Sequence, residues 1–549
     1  MPVSPLSDST RRILTGPVIL VAVLLATNSL SAAIFQYAAA VPSRKGECMA
    51  YLWVPPEAAG IRGVVMGGMT LMERELAQDA HIRVACAEEQ LAIVFVNRGL
   101  SSIVVVDVLD ALAAQSGYQE LSVTPLLFVG HSAGGPQARR CAREMHDRCF
   151  GLVQYRGADP GDTDHQGAES VGAGIPALMM IGQFDEFGKI GRDANGIENW
   201  EKDRDKLVAF RRQRPDNLGS VVVEPGAGHF AWSERSAKYV ALFLRKAAQA
   251  RIPAGFAENA SAPLPLKTID PASGWLSDPT IKSPSRYPPA PYSKYQGDPA
   301  EAVWHLDESL AVASSAYHAG IAKADQFIQW KDPHSVNAGA RNFFTDVEWV
   351  ADGQTFEVHP AYAESYPASG SPGAKWGRGG EPVGHAASPI LVRHVSGPIV
   401  AAGRHRFRVQ YDELAPATET ARCTFLAYSH GDEQFRYTER VGMIASERFV
   451  LNAGRPQTIT FPEIDDVPAN AKPVALHATS DSGLDVEYHV AFGPARVVDG
   501  KLVLAELPRR AKFPLNVTVV AYQFGRGIEP RTATAKPVAQ TLQVLPASP

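Results

Sequence analysis

Gly130-His131-Ser132-Ala133-Gly134 stands between an apolar run at 125–129 and a helical pattern that begins at Gln137, after Gly135. A G-x-S-x-G stretch directly after a strand and before a helix describes a sharp turn with the serine at its apex. Such a turn needs small residues on either side, because larger side chains would collide with the neighbouring strand and helix. A serine at a helix N-terminus also faces backbone N–H groups, and these would bind the oxyanion formed when its Oγ attacks a carbonyl. The amide of Ala133 is the expected first donor.

Outward from this turn, short apolar runs at 50–54, 63–66, 91–96, 125–129, 151–155, 176–181 and 220–223 alternate with helical patterns at 103–114, 137–145, 200–212 and 233–248. Strands alternating with helices predict a mainly parallel, doubly wound sheet covered on both faces. Two loops at strand ends then supply what the serine lacks. Ile181-Gly182-Gln183-Phe184-Asp185 leaves one run, and Gly226-Ala227-Gly228-His229-Phe230 follows another. In proton terms, Ser132 is the nucleophile, His229 the base that takes its proton, and Asp185 the acid that fixes the imidazole tautomer. Glu186 is the alternative acid, and a core histidine bonded to backbone is the alternative for His229. The loop Gly67-Gly68-Met69-Thr70 after the run at 63–66 offers the second oxyanion donor, with the choice open between Gly68 and Met69.

With the order serine, acid, histidine, residues 42–252 resemble a compact α/β-hydrolase, similar to secreted bacterial esterases of the acetyl-xylan, feruloyl and polyhydroxyalkanoate-depolymerase kinds. The resemblance covers under half the chain. It implies the α/β-hydrolase fold and cleavage of a carboxylic ester through an acyl-enzyme, without a cofactor, on a substrate such as an acetyl or feruloyl ester of a plant polysaccharide. One departure is plain: the histidine of the His-Gly motif that such enzymes carry before the second oxyanion donor is absent here. Between Ile181 and Val221 only one helical pattern occurs, so an open cleft without a large lid is expected.

Residues 253–345 read as a Pro-rich linker, with Pro288-Pro289-Ala290-Pro291 and an amphipathic helix at 301–322 packing its apolar side on a neighbour. Beyond it, β-branched and aromatic runs separated by turn residues predict all-β sandwiches at 346–455 and 456–549. Thr479-Ser480-Asp481-Ser482-Gly483-Leu484, Gly493-Pro494-Ala495 and the strand at 517–522 resemble an immunoglobulin-like module.

Arg11 and Arg12, the apolar run at 13–26 and small residues at 29–33 have the order of a signal peptide over 1–33, which implies a secreted or periplasmic protein with no later membrane span, the cell surface being a further option. In an oxidising compartment the five cysteines permit two disulfides with one thiol left over. Cys48 with Cys86 and Cys141 with Cys149 is one pairing that fits, the connectivity stays open, and the alternative is buried free thiols. A formal charge of −5 provides no basic field for nucleic acid. Asp162, Asp164 and His165 read as a solvated loop rather than a calcium site, and His359, His385 and His394 show no ligand spacing, so no metal is expected. Trp200, Phe230 and Trp232 are core residues or a wall near the site. The competing reading is a hydrolase-like scaffold that has lost activity and binds through its C-terminal modules. Oligomeric state has no signal in the sequence.

Overall fold

The computed structural model describes residues 35–549 apart from 45, 47, 69–70, 158–173, 184–198, 231, 255–261, 281–284, 339–340, 367–378, 413, 416–422 and 549. The expected signal segment at 1–33 lies outside the described residues, and among those described no helix is long and apolar enough to cross a membrane.

Eight strands form the main sheet: β1 (Tyr37–Val41), β2 (Cys48–Trp53), β3 (Gly63–Gly68), β4 (Leu91–Val96), β5 (Leu126–His131), β6 (Cys149–Tyr155), β7 (Ala177–Gly182) and β8 (Gly219–Glu224), in the order β1-β2-β4-β3-β5-β6-β7-β8. β1 and β2 pair antiparallel with their neighbours, and every later pairing is parallel. This is the strand arrangement of the α/β-hydrolase fold. β1 had no signal in the sequence, since Tyr-Ala-Ala-Ala-Val lacks the β-branched run of the others. It exists through its pairing with β2 and its buried tyrosine and valine.

The central strands are buried on both faces, which explains their near-continuous apolar sequences. Alternate residues enter two separate cores. Leu126 and Phe128 of β5 join Leu109 and Leu112 of α3 (Val105–Ser116) and Ala138 of α4 (Gly134–Glu144) on one face. Leu127 and Val129 join Ile82 of α2 (Ala80–Glu88) and Val240 and Leu244 of α6 (Glu234–Arg251) on the other. Two further helices complete this region, α1 (Leu71–Gln78) between β3 and α2, and α5 (Asn199–Gln213) between β7 and β8. Asp79 caps α2 by accepting from His81 and Ile82, and Ser233 caps α6 by accepting from Ser236.

The two cores bear on one of the cysteine pairings. Cys48, Cys141 and Cys149 lie in the first core and Cys86 in the second, so the sheet separates Cys48 from Cys86. All five cysteines are free and buried, the alternative to the two expected disulfides. Burial pushes Cys86 and Cys149 up to about 12 and Cys141 up to about 11.

The segment expected as a linker is packed. Trp275–Ser277, Ala290–Pro291 and Val303–His305 form a small sheet, and Leu276, Ile269 and Trp304 bury themselves with Leu218 ahead of β8. The helix expected over 301–322 is shorter, α7 (Glu308–Ala319), because Asp307 caps it and Trp304 belongs to a strand. Its apolar side meets α6, with Leu310 in the same core as Tyr239 and Val240.

Downstream, a middle sandwich pairs two sheets. One has five strands in the order Ser335–Ala338, Arg341–Phe344, Thr438–Ile444, Cys423–Ser429, Leu391–Ser396. The other has three, Thr355–Glu357, Arg406–Val409, Ile399–Gly403. Phe344, Phe356, Phe407 and Phe425 fill the space between them. A terminal sandwich sets Val467–Pro468, Val538–Leu545, Leu515–Tyr522 and Glu487–Phe492 against Val474–Ala475, Lys501–Leu504 and Ala495–Val498. Its inward residues, among them Val517, Val519, Leu542 and Val544, merge with the first core of the main sheet.

Candidate active site

β5 ends at His131 and α4 begins at Gly134, leaving Ser132 at the turn with a φ of +51°. For a residue with a Cβ this left-handed conformation is strained, and it holds only where the surroundings enforce it. They do so here through backbone: Ser132 N–H donates to the Tyr155 carbonyl at 3.0 Å, and Gly135 N–H donates to the Ser132 carbonyl at 3.0 Å. The flanking glycines are required by space. A Cβ at Gly130 would overlap the Gly134 carbonyl, and one at Gly134 would overlap Oε1 of Glu73. Gly157 lies equally close against the Ser132 backbone. Ser132 is partly exposed, and Ala133, whose amide is the expected oxyanion donor, is exposed at the start of the eleven-residue α4.

The second donor was expected at Gly68 or Met69. Gly68 closes β3, whose Gly67 pairs with Val129 of β5, so this strand end abuts the turn. Met69 lies outside the described residues. Glu73 links the two halves. It is 1% exposed on the first turn of α1, and its Oε1 accepts the His131 N–H at 2.7 Å.

His229 is 2% exposed, on the loop after β8. Its carbonyl meets Nε2 of His131 at 3.0 Å, and the two imidazole rings lie 4.9 Å apart. The loop of the proposed base is thus bonded onto the residue next to Ser132. Phe230 stands edge-on to the His229 ring at 4.9 Å and packs with Val395, Leu426, Val441 and Met443 of the middle sandwich. Asp185 and Glu186 lie outside the described residues. Gln183, just ahead of them, accepts the Gly226 N–H at 2.9 Å, which brings the β7 and β8 loops together.

Beneath this loop lies a buried ionic cluster that sequence reading missed. Arg156 Nη2 is 2.5 Å from Glu224 Oε2, and Arg156 Nη1 is 3.6 Å from Glu439 Oε1, with all three side chains 0–1% exposed. Tyr155 and Ser236 hydroxyls also donate to Glu224, at 3.2 and 2.6 Å. Burial alone would raise the Glu224 carboxyl, but Arg156, Arg235 and Ser236 hold it below its ordinary value. For Glu439 burial wins over Arg156, and the carboxyl is pushed up. Arg156 follows β6 and Glu224 ends β8, positions that read in sequence as ordinary strand termini. Glu439 had no signal at all, since it comes from another sheet.

Of the other candidates, Trp232 is core: it is 2% exposed, edge-on to Tyr155, and donates to Asp79 at 3.1 Å. The side chain of Trp200 and all of Asp162, Asp164 and His165 lie outside the described residues. Among the described residues no group of three His, Cys, Asp or Glu could hold a metal ion. His359, His385 and His394 have separate partners, Asp332, the Ala386 carbonyl and the Gly397 carbonyl.

No family model and no curated protein matches the chain. Among solved structures it is similar to an alpha-beta serine hydrolase homologue from Coxiella burnetii, at 16% identity over 39% of this chain and 97% of that one, with a TM-score of 0.25. A thermophilic esterase from Thermogutta terrifontis is 16% identical over 39% and 99% of the two chains, TM-score 0.26. A hyperthermophilic esterase from Pyrobaculum calidifontis is 13% identical over 39% and 85%, TM-score 0.27. The fold assignment rests on the strand order and pairing described above.

Proposed function

We propose that the chain is an exported serine hydrolase that cleaves a carboxylic ester through an acyl-enzyme, with Ser132 as nucleophile, His229 as base and Asp185 as the orienting acid. The observation that carries this reading is Ser132 held at φ +51° between required glycines, at a helix N-terminus, with the His229 loop bonded onto the same turn. A partly exposed serine in the left-handed conformation just ahead of a helix N-terminus suits attack on a carbonyl and stabilisation of the resulting oxyanion. Arg11, Arg12 and the apolar run at 13–26 support export. The acyl and alcohol parts follow from the family resemblance, which favours an acetyl or feruloyl ester on plant polysaccharide. The terminal sandwich is read as an immunoglobulin-like module.

Hydrolysis of para-nitrophenyl acetate, para-nitrophenyl butyrate and a ferulate ester by wild type and Ser132→Ala tests this. We expect turnover by wild type and a loss of about 10³-fold or more in the variant. Equal inactivity of both proteins on all three esters would leave the scaffold reading in its place.

A further inference from the structure

The backbone that carries His229 is clamped from three directions. Gln183, at the end of β7, takes the N–H of Gly226, and His131, in the serine turn, meets the carbonyl of His229. The third clamp comes from far along the chain: Oε1 of Glu439 accepts the N–H of Gly228 at 2.7 Å, one residue before the histidine. Glu439 sits on the strand Thr438–Ile444 of the middle sandwich, and its Oε2 accepts the Tyr437 hydroxyl at 2.6 Å. Strand and loop are in backbone contact, since a Cβ at Gly226 would overlap the Tyr437 carbonyl. Gly226 itself has a φ of +73°, a conformation only glycine holds without strain. A loop of the form Gly-Ala-Gly-His has little stiffness of its own, so its position is set by what grips it.

We propose that Glu439 is a positioning residue for His229: through it the middle sandwich supplies the acceptor that fixes the Gly228–His229 backbone, and with it the reach of the imidazole toward Ser132. This rests on the reading of Ser132 and His229 as nucleophile and base. The groups that face Glu439 are Arg156 from the end of β6, Glu224 from the end of β8, and Tyr437 two residues away. Two carboxylates share the Arg156 guanidinium, and Glu224 holds the closer place and has Arg235 besides. What Glu439 contributes to the loop is therefore its hydrogen-bond acceptor more than its charge. Gln at this position keeps an acceptor, whereas Ala removes it.

The test compares full-length wild type, Glu439→Gln and Glu439→Ala. Turnover of para-nitrophenyl acetate is normalised to the serine sites titrated with a fluorophosphonate, and amide hydrogen exchange is followed in a peptide spanning 226–230. For Glu439→Ala we expect kcat per titrated site to fall by roughly 10- to 100-fold with KM nearly unchanged, because misplacement of a reacting group by about 1 Å has effects of that order. Exchange protection in the peptide should be lost as well. Glu439→Gln should restore most of both. A purely structural role would lower the number of titratable sites but not kcat per site, and that result overturns the proposal, as does unchanged protection in Glu439→Ala. Gln as damaging as Ala would overturn the acceptor role. If wild type hydrolyses no ester, the functional reading fails, while protection of the 226–230 peptide still decides whether Glu439 holds the loop.

Discussion

The two sandwiches meet the main sheet in different ways. The terminal one joins the core: Leu515, Val517, Leu542 and Val544 belong to the same apolar cluster as Leu112, Tyr118 and Leu121. The middle one reaches the loops that carry chemistry, through Glu439 on Gly228, the Leu414 carbonyl on Arg74 of α1, and an apolar patch around Phe230. The first contact is mainly a shared apolar core; the second combines an apolar patch with a polar grip on the loops themselves. The terminal module should therefore matter for stability, and the middle module for where the catalytic loops stand. A tail that only anchored the protein to a surface would have no reason to place a buried glutamate beside the proposed base.

The largest expected effect tests the polar contact at its centre. Arg156→Met removes the guanidinium that Glu224 and Glu439 share while keeping much of the buried volume. Glu439 would then stand buried without a counter-charge and Glu224 would keep only Arg235, 3.9 Å away, and removing one partner of a buried pair costs about 3–5 kcal/mol. Urea unfolding of the full chain should show this as a lower midpoint. A loss below about 1 kcal/mol, the range of surface pairs, would mean that the cluster does not hold the seam together.

These residues also show where sequence reading stops. The strands of the main sheet were legible because a strand buried on both faces must be apolar almost throughout, as in Leu91–Val96, and because glycines at 130 and 134 mark a tight turn, the first of them packed directly against backbone. Ser132 and His229 followed from strand ends in the expected order. β1 was invisible, since its alanines take their strand state from pairing with β2. Glu73, Arg156 and Glu439 were invisible for a related reason. Each acts on a residue far away in sequence, Glu439 on Gly228 across 211 positions, and no local pattern encodes such a pairing. The helix over 301–322 was drawn too long because Trp304 and Leu306 continue the apolar spacing, although Asp307 caps the helix after them.

A smaller effect concerns pH and the seam beside β8. His305 is fully buried against the Ser277 hydroxyl at 2.7 Å, and burial, followed by the nearby His318 and Arg211, lowers it to about 3. His318 accepts the Val223 N–H of β8 at 3.3 Å, and burial lowers it to about 4. The folded state thus disfavours both imidazolium ions. The sign follows: stability is fully present above the unfolded value of about 6.5 and is lost as pH falls from there toward the two folded values. Unfolding midpoints measured from pH 7.5 down to pH 4 should fall on the acid side, and His318→Gln should flatten part of that slope. An unchanged slope in the variant would remove His318 from the account.

The smallest effect separates the terminal sandwich from the middle one. Arg510 lies 5.0 Å over the Tyr118 ring, donates to Glu120 at 3.0 Å and to the Gly117 carbonyl at 3.2 Å, and is 21% exposed. Glu120, whose side chain is 2% exposed, keeps the Ile61 N–H on Oε1 when the arginine is gone but loses this cation. Arg510→Ala should therefore cost about 1–3 kcal/mol, less than the loss of a fully buried cation because Arg510 itself is partly exposed. Its kcat on para-nitrophenyl acetate should stay within about twofold of wild type, because nothing in this contact touches the loops of Ser132 or His229. If Arg510→Ala instead reduces kcat as Glu439→Ala is expected to, the two sandwiches do not divide the work, and the terminal module also acts on the site through the shared core.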